Sequence, residues 1–204
     1  MTLRDYTVIG VTGPTGSGKT TVTKYFESKG CHIIDADELG RQSLAKGSDC
    51  LKQVCTVFGD DILNSDGILN RQLLAKRAFS TEENTKRLNN ITHPWICMRV
   101  LERIDDIRNT ETNPIIIFDA AVLIESHMDI ICDIIISVIA PVDVRRERIM
   151  KRDNLTFENA EIRINAQKSD NFYRKQADFM LNGSDDIAKL QCQMDKILVH
   201  CGRR

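Results

Sequence analysis

None of the seven cysteines (31, 50, 55, 97, 132, 192 and 201) stands in a C-x-x-C pair, and their number is odd. Free or buried thiols in a reducing, cytoplasmic compartment explain them better than a disulfide framework or a zinc site. A charge excess is missing too. The 28 Lys and Arg against 29 Asp and Glu leave a formal net charge of -1, which gives no basic footprint for nucleic acid and no acidic tail. No apolar run is long enough to span a bilayer, since the most apolar stretch, residues 130–140, is interrupted by Cys132-Asp133. Met1-Thr2-Leu3-Arg4-Asp5 carries no signal pattern and leads straight into a strand. Repeats and low-complexity tracts are absent as well. A chain of 204 residues buries roughly 70% of its unfolded surface, so it needs no covalent or metal staple.

What is present begins at Gly13-Pro14-Thr15-Gly16-Ser17-Gly18-Lys19-Thr20, which fits G-x-x-x-x-G-K-[ST], the phosphate-binding loop of nucleoside-triphosphate enzymes. The context fits: residues 6–12 read as a buried parallel strand and Lys19 to Ser28 as a helix stopped by Gly30. Glycines let backbone N–H groups turn around an anion, and the helix amino end adds its partial positive charge. Lys19 would neutralise the β- and γ-phosphates of ATP, and the Thr20 hydroxyl would ligate Mg²⁺. Pro14 has no N–H, so one loop amide cannot reach phosphate.

Cys31 to Asp35 reads as a second strand, completing a βαβ unit. Helices follow at Glu38 to Ala45, Asp49 to Phe58 and Arg71 to Phe79, with a turn at Asn64-Ser65-Asp66-Gly67. Thr81 to Ile91 predicts a further helix, and His93-Pro94 the start of a longer one to about Arg108, with proline at its first position. Residues 115–118 and 134–139 are unbroken apolar runs that suit central parallel strands. A helix over Val142 to Lys151, another capped by Thr156 and running to about Gln167, an edge strand at Phe179 to Leu181 and a closing helix from Asp185 to Val199 complete the pattern. Gly202-Arg203-Arg204 reads as a frayed tail. The fold class is α/β, a parallel sheet of about five strands with helices on both faces.

Two further constellations carry chemistry. Asp35 and Asp37 straddle the carboxyl end of the second strand, the edge where parallel sheets place ligands. Asp37 there accepts the proton of an attacking hydroxyl, or else it caps the next helix. Asp37-Glu38-Leu39-Gly40 matches D-x-x-G, but without an N-K-x-D partner a GTPase reading is poor. Arg145, Arg148 and Arg152 form an i, i+3, i+7 stripe that no neighbouring carboxylate obviously neutralises. It is either a solvated helix face or an arginine lid over ATP.

The ordered set of motifs resembles the dephospho-coenzyme A kinase family over nearly the whole chain. The matching stretches are Ile9 to Gly13, Ile34-Asp35-Ala36-Asp37 with Arg41, Phe58-Gly59, Asp66 to Leu74, Ile91-Thr92-His93-Pro94, Leu123-Ile124-Glu125, Arg148 to Asp153, Arg163 with Gln167, and Ala177-Asp178. The resemblance implies a three-layer P-loop kinase fold. It would be a single domain over 1–204, with a helical acceptor-binding subregion at roughly 40–108 and a lid at roughly 144–170. It implies ATP-dependent phosphorylation of the ribose 3′-hydroxyl of dephospho-CoA. Another small-molecule P-loop kinase, or a non-catalytic ATP- or CoA-binding protein, is the alternative. By resemblance Asp37, Lys19 and Arg152 are catalytic. Gly13 to Thr21 (the loop, with Lys19, Thr20 and Thr21), Arg148 and Arg152 hold ATP. Asp37, Arg41, Arg71 and His93 face dephospho-CoA. Asp119 is either a Walker-B-like partner of Mg²⁺ beside Thr20 or a buried partner of Lys19. A cytoplasmic protein that binds neither nucleic acid nor membrane is expected, a monomer or else a weak homo-oligomer.

Overall fold

The computed structural model describes residues 5–202; the expectations for residues 1–4 and for Arg203-Arg204 lie outside them. In chain order the elements are β1 (Thr7–Thr12), α1 (Lys19–Ser28), β2 (His32–Asp35), α2 (Ala36–Ser43), α3 (Asp49–Phe58), α4 (Arg71–Ala78), α5 (Glu82–Arg108), β3 (Ile115–Asp119), β4 (Ile134–Ile139), α6 (Val142–Asp153), α7 (Phe157–Asn165), α8 (Asp170–Gln176), β5 (Phe179–Asn182) and α9 (Ile187–His200). Two compact units result, one ending at Ile34 and resuming at Asp106, the other covering Asp35–Asp105.

The first unit holds the sheet, in the order β2-β3-β1-β4-β5. Strand β1 pairs parallel with β3 and with β4, and β4 pairs parallel with β5. Alternate residues of each strand point to opposite faces, so central strands must be apolar at every position. Ile9, Val11, Ile115, Ile117, Ile136, Val138 and Leu181 join Val22 and Phe26 of α1 and Leu190, Met194 and Ile197 of α9 in one buried cluster. Val8, Ile116 and Phe118, from the intervening positions, are fully buried as well. The loops at the carboxyl ends of β1 and β3 therefore start from strands that cannot shift without opening this core.

The second unit packs Leu51, Val54 and Phe58 of α3 against Leu74 and Ala78 of α4, with Ile62 and Leu69 between them. Gly67 closes the expected turn at φ 77°, and a lone antiparallel bridge joins Leu63 to Leu69 across it.

Two helices depart from the expectation by more than a residue or two at an end. Helix α5 runs unbroken through His93 and Pro94, where the sequence suggests one helix ending and another starting. Proline at 94 removes the N–H that would meet the carbonyl of Asn90. Burial on both sides of it, at Thr92 and Val100, keeps the helix continuous. The thiol of Cys50 lies 3.9 Å from the carbonyl of Ile91, in the turn that the proline loosens. The other difference is α8, which the sequence reading leaves out. Ser169 caps it by accepting from the Phe172 N–H, while its Tyr173 is buried.

Candidate active site

In the first unit β1 ends at Thr12 and α1 begins at Lys19, so residues 13–18 form the strand-to-helix turn that the motif requires. Gly13, Gly16 and Gly18 have φ of 145°, 78° and 102°, left-handed values that disfavour side chains. Helices α2, α3, α4, α7, α8 and α9 are each capped by a side chain, respectively Asp35, Ser48, Asn70, Thr156, Ser169 and Asp186. Helix α1 is not: Gly18 offers none, and the first turn holds no acidic residue. No acceptor among the described residues meets the N–H of Gly16, Gly18, Lys19 or Thr20. The Ser17 N–H instead closes a turn on Pro14, and that of Thr21 bonds the Gly18 carbonyl at 2.9 Å. Ser17 leaves a buried hydroxyl without a partner in the loop itself. Unmet donors at the positive end of a helix dipole make an anion site.

Lys19 and Asp119 form an ion pair, largely shielded from solvent. Asp119 is held there by register, because it is paired with Val11 where β1 runs into the loop. The Thr20 hydroxyl is on an exposed residue and has no partner among the described residues.

The arginine stripe is neither a plain solvated face nor without neighbours. Arg145 is 3% exposed; its Nε donates to the Thr15 carbonyl at 3.1 Å, and Asp170 lies 3.9 Å away. Burial draws its pKa below the ordinary arginine value, and Asp170 opposes that. Arg148 donates to the carbonyls of Gly16 and Gly183 at 3.1 and 2.8 Å. Arg152 holds Asp153 at 2.7 and 2.9 Å and donates to the Thr15 hydroxyl at 3.3 Å. Two contributors were not singled out as site residues. Gln167 accepts from the Thr15 N–H at 2.6 Å. Gly183 follows β5 so closely against the loop that a Cβ there would sit 1.9 Å from the Ser17 carbonyl. Gln167 belongs to the motifs of the resemblance, but its contact with Thr15 and that of Gly183 with Ser17 have no local signal, since each partner is more than a hundred residues away in sequence.

In the second unit, Asp35 caps α2, accepting from the N–H groups of Asp37 and Glu38 at 2.8 and 3.0 Å. The capping alternative for Asp37 is thereby excluded. Its carboxylate is exposed, and no hydrogen bond or ion pair engages it among the described residues. Arg41 lies one turn further along α2 on the same side. Arg71, at the start of α4, donates to the Arg41 carbonyl at 3.3 Å. The fourth predicted acceptor residue, His93, is half-buried in α5, and desolvation lowers its pKa below 6.5, so it is neutral at pH 7.

A family model described as dephospho-CoA kinase matches residues 7–189. The chain belongs to the dephospho-CoA kinase family. It is 36% identical over 186 residues to the Dephospho-CoA kinase of Listeria monocytogenes, covering 91% of this chain and 92% of that protein. To the Dephospho-CoA kinase of Corynebacterium diphtheriae it is 38% identical, over 88% of this chain and 90% of the relative. Among solved structures, TT1252 from Thermus thermophilus superposes with a TM-score of 0.81 at 26% identity, covering 97% of this chain and 98% of its own. A dephospho-CoA kinase from Campylobacter jejuni gives 0.60 at 23% identity over 97% and 98%, which speaks to the fold alone. The five-stranded parallel sheet flanked by helices is thus that of P-loop kinases.

Proposed function

We propose that this chain transfers the γ-phosphoryl group of ATP to the ribose 3′-hydroxyl of dephospho-CoA, giving CoA and ADP. The donor half is carried by the uncapped amino end of α1, with its unmet amides, beside Lys19 and the guanidinium groups of Arg148 and Arg152. The acceptor's identity is supported by the family match over residues 7–189.

In this reading Gly13 to Thr21 cradle the triphosphate. Lys19 turns from Asp119 toward the β- and γ-oxygens, and Arg148 and Arg152 neutralise charge as it develops on the transferring group. Asp37 takes the hydroxyl proton while the 3′-oxygen bonds to phosphorus and the bond to the ADP oxygen breaks. Arg41 and Arg71 bind the acceptor's phosphates as fixed charges. His93, neutral at pH 7, meets it through a hydrogen bond. Mg²⁺ prefers hard oxygen donors and keeps much of its shell as water and phosphate. The donors present fit that preference in kind, a hydroxyl at exposed Thr20 and a carboxylate at Asp119, where β3 ends. The Thr20 hydroxyl and the Asp119 carboxylate are the oxygens that would hold the ion, which supplies positive charge against the phosphates. No disulfide joins any of the seven cysteines among the described residues, which suits the cytoplasm. No described helix is long and apolar enough to cross a membrane. We read the active species as a monomer, which a sedimentation mass of one chain would bear out.

The test is coupled ADP release with dephospho-CoA, with a panel of nucleosides and nucleotides, and with no acceptor. The reading expects release that depends on dephospho-CoA and equals the CoA formed. Equal release with and without dephospho-CoA would end it; faster release with another hydroxyl compound would reassign the acceptor.

A further inference from the structure

Every polar group of Thr15 is held by one arm of the fold. Its N–H donates to Gln167 Oε1 at 2.6 Å, its carbonyl accepts from Arg145 Nε at 3.1 Å, and its hydroxyl accepts from Arg152 Nη2 at 3.3 Å. Gln167 Oε1 also accepts from Arg145 Nη2 at 3.4 Å, so two of the tethers brace each other. All three residues come from α6 or the turn just after α7. That arm is itself fixed: Ile149, Ala160 and Ile164 are buried together, Arg146 pairs with both Asp143 and Glu161, and Arg163 pairs with Asp153.

The geometry has a consequence for phosphate binding. The peptide group is planar, with its C=O and N–H pointing in opposite directions. Arg145 holds the carbonyl of the Thr15–Gly16 peptide, and the N–H of that same peptide belongs to Gly16, one of the unmet donors of the cradle. Gln167 holds the preceding peptide through the Thr15 N–H. After Gly13, Pro14 has no N–H and the Thr15 N–H is engaged, so Gly16 is the next loop amide open to an anion. A guanidinium buried to 3% exposure is costly, and here its Nε is committed to a loop carbonyl while the Asp170 carboxylate lies 3.9 Å from its Nη1.

We propose that Arg145 and Gln167 are positioning residues for the nucleotide. They fix the two peptide planes around Thr15 so that the Gly16 N–H faces the phosphates before ATP arrives. The inference rests on the assignment of ATP as donor. It is tested by calorimetry with ATP and Mg²⁺, by amide hydrogen exchange at Thr15 and Gly16, and by separate KM values for ATP and dephospho-CoA. For Gln167→Ala, we expect ATP to bind about tenfold more weakly, the scale of one hydrogen bond lost. We also expect faster exchange at Thr15 and a KM for dephospho-CoA within about twofold of wild type. Gln167→Glu, which keeps an acceptor oxygen for both donors, should restore ATP binding. Arg145→Lys should fall between them; if it fails to fold, the Gln167 pair still decides. Wild-type affinity for ATP and unchanged Thr15 exchange in Gln167→Ala would overturn the inference alone. A wild-type chain that bound no ATP would overturn the donor assignment, and this inference with it.

Discussion

At the scale of single residues, Asp37 and Lys19 differ in how much of the fold depends on them. Asp37 is exposed and engaged by no partner among the described residues, so replacing it should disturb chemistry and little else. Asp37→Asn is expected to lower turnover about a hundredfold or more, the scale of general-base catalysis, with the calorimetric ATP affinity and the melting temperature retained. A lost ATP affinity instead would make Asp37 a structural residue. Lys19 answers differently. It is paired with Asp119, whose side chain is only 12% exposed, and truncation would remove that ion pair from a site shielded from solvent. Lys19→Ala should weaken ATP binding and also cost up to about 3 kcal/mol in urea unfolding. Lys19→Ala with Asp119→Asn together should recover much of the stability and none of the activity. The cysteines ask for less: burial pushes the Cys132 thiol up to about 12 and the Cys201 thiol up to about 11, which leaves both neutral and unreactive at pH 7.

At the scale of elements, α2 shows why two aspartates separated by one residue have different jobs. Asp35 satisfies two orphan N–H groups of the helix, and Asp37 rides on the turn so formed. Asp35→Ala should cost about 1 kcal/mol as a lost cap and also slow turnover, because the backbone under Asp37 frays. Asp35→Ser, another good cap, should restore both; recovered stability without recovered turnover would give Asp35 a direct chemical role. Helix α5 is the opposite case, carrying a proline in its interior. An interior proline disfavours a helix by about 3 kcal/mol relative to alanine. Pro94→Ala should therefore raise the urea midpoint, and a lowered midpoint would mean that the packing of Thr92 and Val100 depends on the loosened turn.

At the scale of the whole molecule, acid acts through two sets of groups with the same sign. Burial lowers the pKa of His93 below its unfolded value of 6.5. The unfolded chain then binds a proton that the folded chain resists, so stability falls as pH drops below about 6.5. Asp61 and Asp153 are held below the usual carboxylate value of 3.8, by Arg77 and by Arg152 with Arg163. The stability they contribute is present above that value and disappears as pH falls through their folded pKa values. A urea-midpoint profile should accordingly decline in two stages, and His93→Gln should flatten the upper stage while leaving the lower one. An unchanged upper stage would assign that decline elsewhere.

What the sequence by itself determined was most of what is local. The phosphate loop, the helix after it, the apolar strands and the caps at Thr156 and the turn at Gly67 are written in adjacent residues, because propensity, capping and periodicity act over a few positions. The ordered motifs of the kinase family are equally local. Which aspartate caps α2 is a local matter that the sequence pattern left open; tertiary structure alone decided the strand order and the continuity of α5 through Pro94. It alone also decided what the arginine stripe meets. Those outcomes depend on partners far apart in the chain, such as Gln167 and Arg145 on Thr15. A buried polar group takes whatever donor or acceptor packing brings within reach, and no spacing rule in the sequence records that choice.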